Sequence, residues 1–361
     1  MHQNVLPCDP LGTSVRDYLN KYKNKRIFLV CGNSFLRSEL WEQIQDNAGI
    51  DIVVFSDFSP NPERISVEKG KKKFVESRCD AIVAAGGGSC IDVAKCIKLS
   101  LPAAPVPFLV IPTTAGSGSE STRFAVIYEN GEKQSITEER CIPDAVYYDD
   151  RVLLTLPDYQ KKATMLDALC HGIESFWSVN STEESKKYSR LCIQMILNHG
   201  DAYLNNIESV FHDMFLASSL GGKAINITQT TAGHAMCYKL TKQYGYAHGH
   251  AAALCNVWLW HYMISHMEDC VDNRGRDYLE SVFLELAEVM GCDTIYEAAE
   301  KFQNLVDSME LPHTILQSDI PGLSAGVHLQ RLRNNPVNLD QDAIIAIYTA
   351  AAEWKMPGKE Q

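Results

Sequence analysis

Apolar residues in the first 150 positions come in short unbroken runs. Residues 26–32 (RIFLVCG), 50–55 and 81–85 are such runs, separated by polar, helix-like stretches, and a further run at 106–111 ends at Pro112. Short apolar runs of this kind, bounded by glycine or proline, predict strands buried on both faces, and their alternation with helical stretches predicts a βαβαβ series with a parallel sheet. Beyond about residue 150 the pattern changes. Residues 158–177, 185–205, 278–290 and 294–309 carry apolar side chains at helical spacing, and strand-like runs disappear. The expected architecture is an α/β domain over residues 1–152 followed by an all-helical domain over 153–361, with the join near 149–157. A chain of 361 residues is long enough for each half to bury its own core.

Composition narrows the classes of partner. The longest apolar runs, 251–260 and 343–351, fall well short of the roughly 18 residues needed to cross a bilayer. A net charge of −12 opposes nonspecific binding to nucleic acid or to anionic membrane. The 12 cysteines are scattered singly without CxxC spacing, which suits reduced thiols in a cytoplasmic protein better than a disulfide framework or a zinc ribbon. The start, MHQNVLPCDPLGTS, has neither a basic nor an apolar signal region, so no secretion signal is expected.

Two turns carry candidate nucleotide chemistry. The run AAGGGS, residues 84–89, follows a predicted strand and opens a helix containing Asp92 and Lys95. Glycines at such a turn let the backbone approach a diphosphate, and the free amides of the helix start complement its charge. A tight turn with no ligand explains the glycines equally well. The next strand ends in IPTTAGSGSE, whose Thr113, Thr114 and Ser117 can offer hydroxyls to the same ligand. Two such turns after successive strands favour a ligand crevice at the carboxyl edge of the sheet.

The helical half holds a possible metal set. Asp167 and His171 are four apart in LDALCHGIES, on one helix face, and His234, His248 and His250 cluster further on. One carboxylate with neutral imidazoles suits iron or zinc, although core or surface histidines account for the spacing as well.

The ordered motifs GGGSCIDVAK, IPTTAGSGSE, LPDYQKKATMLDALCHGIES and GHAMCYKLTKQYGYAHGHA resemble those of the iron-containing, or group III, alcohol dehydrogenases, and the likeness runs from FSPNPE at 58–63 to NNPVNLDQDAIIAIYTAA near the carboxyl end. It implies an N-terminal nucleotide-binding α/β domain and an all-α metal-binding domain, the two-domain plan shared with dehydroquinate synthases, with the active site in the cleft between them. By motif position it implies metal ligation by Asp167, His171, His234 and His248. Nucleotide contacts fall on Gly87, Gly88, Ser89, Asp92, Thr113, Thr114 and Ser117, with Lys133 near the cofactor. The implied reaction is hydride transfer between NAD(P)H and a carbonyl carbon, with Fe2+, or Zn2+ in its place, acting as Lewis acid on the oxygen. A cytoplasmic homodimer acting on a small aldehyde or alcohol is the expected form.

Two departures from the family pattern stand out. Tyr238 occupies the position of a histidine that many members place near nicotinamide and substrate; a phenol's ordinary pKa of about 10 makes it a poor base at neutral pH, and His250 is a candidate substitute. At the end of the first strand, where NAD-preferring members carry an aspartate, this chain has Gly32, followed by Asn33 and Ser34. Loss of that carboxylate is expected to admit NADP at least as well as NAD. The stretch 217–240 includes Lys223, Asn226, Thr228, Gln229, Thr230, Thr231 and Lys239, where many alcohol-specific members are more apolar. Some of these can bind an anionic head group, with Lys223 as the expected anchor, or can simply face solvent and cap helices. The segment resembles the phosphonoacetaldehyde-reducing branch, which makes reduction of phosphonoacetaldehyde to 2-hydroxyethylphosphonate, and so a place in phosphonate metabolism, the expected activity. A general short-chain alcohol dehydrogenase is the alternative, and behind it stand an enzyme like glycerol dehydrogenase or dehydroquinate synthase and a non-catalytic metal and nucleotide sensor.

Overall fold

The four apolar runs of the N-terminal half become four strands of one parallel sheet. The computed structural model describes residues 3–9, 12–22, 25–45, 50–102, 105–129 and 132–354, and it divides into two compact units. The first unit, Met1–Leu156 with Asn206–Phe215, contains in chain order β1 (Asn4–Leu6), α1 (Thr13–Asn20), β2 (Arg26–Cys31), α2 (Glu39–Gln45), β3 (Asp51–Phe55), α3 (Arg64–Glu76), β4 (Ala81–Gly86), α4 (Gly88–Ser100), β5 (Phe108–Pro112), β6 (Phe124–Glu129), β7 (Glu132–Thr137), β8 (Ala145–Tyr147) and α5 (Arg151–Leu154). It runs on to Leu156 rather than 152 and takes in a segment from between two helices of the second half.

The sheet order is β1-β8-β5-β4-β2-β3, and every pairing in it is parallel. Alternate residues serve opposite faces. Phe28, Val30, Ile82, Ala84, Phe108 and Val110 pack into one core, while Ile27, Leu29, Val83, Ala85, Leu109 and Ile111 pack into the other. Burial on both faces is why these strands read as unbroken apolar runs. Cys31 lies opposite Ala85, and Ala85 opposite Ile111, so β2, β4 and β5 end level with one another. From β2 the chain steps outward to β3, and from β4 it steps the other way to β5. The order therefore reverses between β2 and β4, the position where open α/β sheets leave a crevice for a ligand.

A buried polar knot ties the antiparallel β6–β7 hairpin to α4. Lys95 is fully buried, and its ammonium donates to the carbonyls of Ser119 (2.6 Å), Thr122 (2.9 Å) and Phe124 (2.6 Å). One helical turn earlier, Asp92 accepts from the Ser119 hydroxyl at 2.7 Å and from the Val126 amide at 3.0 Å.

The second unit, Pro157–Asn205 with Leu216–Gln361, is helical. Its helices are α6 (Asp158–Trp177), α7 (Glu183–Leu204), α8 (Phe211–Thr228, whose first turn belongs to the first unit), α9 (Ala232–Tyr244), α10 (His248–Ser265), α11 (Arg276–Val289), α12 (Ile295–Ser308), α13 (Ile320–Ala325) and α14 (Gln341–Glu353). Pro157 starts α6, with Asp158 in its first turn to complement the helix dipole. The organising element is α10: 13 of its 18 residues are buried, and it packs against α6, α9, α12 and α14. At its start Gly249 lies so close to α6 that a Cβ would fall 2.2 Å from the Ala163 carbonyl oxygen and 2.4 Å from the Asp167 Cβ. Only glycine permits that approach, and it brings His248 beside Asp167. Among the described residues no helix is long and apolar enough to cross a membrane.

Replacing Lys95 tests the knot. Lys95→Met keeps the stem and leaves the carbonyls of Ser119, Thr122 and Phe124 without their donor, an expected cost of roughly 3 kcal/mol. Urea unfolding should show an earlier transition; a wild-type profile contradicts the role assigned to Lys95.

Candidate active site and metal centre

Three helices bring the expected metal ligands together. Asp167 and His171 lie one turn apart on α6, His234 is in the first turn of α9, and His248 opens α10. One donor atom from each of Asp167, His234 and His248 lies within 4.8 Å of the other two. His171 adjoins them, with its Nε2 3.9 Å from Asp167 Oδ1 and its ring stacked on that of His234 at 4.7 Å between centroids. Asp167, His171 and His234 are buried and His248 is half-buried. Convergent imidazole nitrogens around one carboxylate fit a divalent ion such as Fe2+ or Zn2+.

Glu174, which the sequence reading passed over, completes the cluster from behind. It accepts a hydrogen bond from His234 Nδ1, while His234 Nε2 faces Asp167 Oδ1 at 3.4 Å. The remaining donors to Glu174 are the Asn256 amide (2.7 Å), the Thr231 backbone amide (2.6 Å) and the Thr231 hydroxyl (2.8 Å). The signal was present in LDALCHGIES, where Glu174 follows Asp167 by seven and His171 by three, on the same stripe of the helix. Burial alone would raise the Asp167 and Glu174 carboxyls, but the facing histidines outweigh it and hold both below the usual range. Burial likewise opposes charge on His234, and the two carboxylates outweigh it and raise its pKa.

Two expected residues lie elsewhere. His250 is two positions after His248, so the helix carries it to a different face. It is fully buried, accepts a hydrogen bond from the Tyr159 hydroxyl at 3.1 Å and has its ring 4.6 Å from that of Tyr246. Burial pushes its pKa down to about 4, so it stays neutral. The Tyr159 hydroxyl also accepts from the Ala247 amide at 2.8 Å, so this pair braces the entry to α10. Lys223 is exposed on α8, whereas Gly221, two positions earlier, turns toward α6, where a Cβ would lie 3.3 Å from the Cβ of His171. Lys223 therefore points away from the α8 face that packs beside His171. Within the same stretch, Thr228 and Thr231 are buried, with their hydroxyls bonded to Ser175 and Glu174. Tyr238 does lie beside the cluster: its ring stacks on His248 at 5.4 Å.

The nucleotide candidates collect at the level ends of β2, β4 and β5. Gly32, Asn33 and Ser34 follow β2, Gly87, Gly88 and Ser89 lead into α4, and Thr113, Thr114 and Ser117 follow β5. All nine are half-buried or exposed, so they are open to a ligand. A Cβ on Gly87 would meet Thr114 Oγ1 at 3.2 Å, and one on Gly88 would meet Ser117 Oγ at 3.0 Å, so the two turns pack directly on each other. Asp92 is different. Its side chain, half-buried like most of the nine, is bonded within the α4–β6 knot to the Ser119 hydroxyl and the Val126 amide, where it braces the loops. Lys133, half-buried on β7, contributes positive charge to the surroundings of Asp92.

Comparison with known proteins agrees with this geometry. Residues 12–150 match the family iron-containing alcohol dehydrogenase, and residues 161–352 match the Fe-containing alcohol dehydrogenase family, C-terminal. The chain is 29% identical to phosphonoacetaldehyde reductase of Streptomyces viridochromogenes over 81% of its length and 80% of that protein. It is 23% identical to sulfoacetaldehyde reductase of Bilophila wadsworthia over 94% of its length and 96% of the relative. Among solved structures, sulfoacetaldehyde reductase from Bifidobacterium kashiwanohense in complex with NAD+ superposes with a TM-score of 0.85 at 23% identity, covering 98% of both chains.

Metal uptake should depend on pH in a defined direction. The ion needs the Nε2 lone pair, and the raised pKa keeps a proton on His234 to higher pH than on a free histidine. Affinity should therefore climb through neutrality, by up to about tenfold per pH unit for one displaced proton. Chelator competition at a series of pH values reads this; affinity independent of pH contradicts it. The double variant His234→Ala/His248→Ala should lose metal content and activity together.

Proposed function

The chain belongs to the iron-containing alcohol dehydrogenase family and is an oxidoreductase that interconverts aldehyde and alcohol with a nicotinamide cofactor; from that premise we propose that its substrate is a small aldehyde with an anionic head group, phosphonoacetaldehyde first, reduced to 2-hydroxyethylphosphonate. The observation that carries the chemistry is the convergence of Asp167, His234 and His248, with His171 adjoining. Support for the substrate comes from two relatives named for aldehydes that differ only in the acidic group, phosphonate in one and sulfonate in the other.

When bound, a divalent ion supplies Lewis-acid polarisation of the carbonyl and the reduced nicotinamide supplies the hydride. Asp167, His171, His234 and His248 would hold that ion. Gly87, Gly88 and Ser89 offer a helix start and close backbone approach for the diphosphate, with Thr113, Thr114 and Ser117 adding hydroxyls. Tyr238, beside His248, is the residue proposed to donate a hydrogen bond at the reacting oxygen. With Lys223 turned to solvent, Asn226 and Thr230, both half-buried in the turn-side half of the 217–240 stretch, are the proposed contacts for the anionic group. The enzyme is proposed to work in the cytoplasm as a homodimer; none of the 12 cysteines forms a disulfide, which suits a reducing compartment.

NADP is proposed to be accepted at least as well as NAD. At Gly32 no carboxylate opposes a 2′-phosphate, and a Cβ there would meet only Ser34 Oγ, at 3.8 Å, so the position is roomy. Gly32→Asp should shift the ratio of kcat/KM values toward NADH by roughly tenfold, equivalent to about 1.4 kcal/mol. A strong NADH preference in the wild type contradicts the proposal.

Substrate choice is tested with metal-reconstituted protein. Charge-assisted bonds worth about 1.5–3 kcal/mol predict kcat/KM for phosphonoacetaldehyde at least about tenfold above that for propanal. Equal efficiencies return the enzyme to a general short-chain alcohol dehydrogenase, and a preference for sulfoacetaldehyde keeps the anionic pocket but changes its ligand.

A further inference from the structure

We infer that Glu174 is a positioning residue for the metal centre: by accepting the Nδ1 proton of His234, it fixes Nε2 as the nitrogen presented to the ion. The inference rests on the metal-site reading above and adds to it a residue that neither binds the ion nor touches the substrate.

Glu174 is fully buried, and a carboxylate there is costly unless every lone pair is matched. It is matched by donors only. Oε1 accepts from His234 Nδ1 and Asn256 Nδ2, and Oε2 accepts from the Thr231 amide and hydroxyl. The Thr231 hydroxyl oxygen accepts from Trp177 Nε1 at 3.0 Å while its proton is donated to Oε2. His234 is equally constrained. Were Nδ1 the bare nitrogen, its lone pair would oppose a carboxylate oxygen, so the proton stays on Nδ1 and the ring directs Nε2 at Asp167 Oδ1, 3.4 Å away.

The two oxygens divide the work. Oε2 caps the start of α9 through Thr231, a structural task, while the bond from His234 to Oε1 sets the ligand. An amide at position 174 cannot reproduce this. Its NH2 would face either the Thr231 amide, a donor, or His234, which would then have to offer Nδ1 as acceptor and carry its proton on the nitrogen meant for the ion.

The division gives a test that separates positioning from stability. Zn2+ affinity is measured by chelator competition on full-length wild type, Glu174→Gln and Thr231→Val, with thermal unfolding of the ion-free proteins alongside. Both variants should unfold earlier, since both disturb the cap. Only Glu174→Gln should bind Zn2+ more weakly, by 10- to 100-fold, the usual effect of removing the partner that orients a metal-binding histidine. Wild-type affinity in Glu174→Gln overturns the inference, as does an equal loss in Thr231→Val. If Glu174→Gln does not fold, Glu174→Asp, which keeps the charge but withdraws it by one methylene, carries the same expectation of weakened binding, and wild-type affinity there overturns it too. A wild-type chain that binds no Zn2+ would overturn the metal-site reading itself and the inference with it.

Discussion

His234 lies between two carboxylates, Asp167 on one ring nitrogen and Glu174 on the other, with all three side chains buried. Two buried anions this close to one imidazole are tolerable only while positive charge is held among them, whether as a proton on His234 or as a divalent ion beside it. That requirement shapes the helical unit. The ring must be delivered by the first turn of α9, both carboxylates must come from one stripe of α6, and α10 must start where Gly249 can touch α6. The helices are thus arranged around a charge problem whose stable solution is a cation, and the cation is what an aldehyde reductase of this family needs.

The α/β unit solves a different problem with the same economy of parts. A ligand with two phosphates has to meet backbone rather than side chains, so three strands end level and their following turns carry glycine and small hydroxyl residues. These turns need a firm base. The Lys95 and Asp92 knot supplies it by tying the α4 helix, the segment after β5 and the β6–β7 hairpin into one piece.

What could be read from residues alone follows from how much pattern each element carries. The helix α6 was read to its end residues because 20 positions repeat the helical period, and β2, β4 and β5 because burial on both faces leaves unbroken apolar runs. β1 and β8, at three residues each, carry too little pattern to register. The helix α10 escaped because it is buried on nearly every side, which erases the polar stripe that marks an amphipathic helix. Spacing with motif likeness brought Asp167, His171, His234 and His248 forward. It could not show that a two-residue step on a helix turns His250 and Lys223 away from the faces that carry His248 and Gly221, and it missed Glu174, whose partners Thr231 and Asn256 are 57 and 82 residues away along the chain.

The donor set is the part of the account on which the rest stands, and X-ray absorption at the zinc edge of the Zn2+-loaded protein examines it most directly. Asp167, His171, His234 and His248 predict nitrogen and oxygen neighbours alone, at about 2.0–2.2 Å. Cys237 makes the alternative concrete, because its sulfur lies 3.5 Å from His248 Nδ1. A sulfur neighbour at about 2.3 Å would show that a thiolate has entered the site and would contradict the ligand assignment.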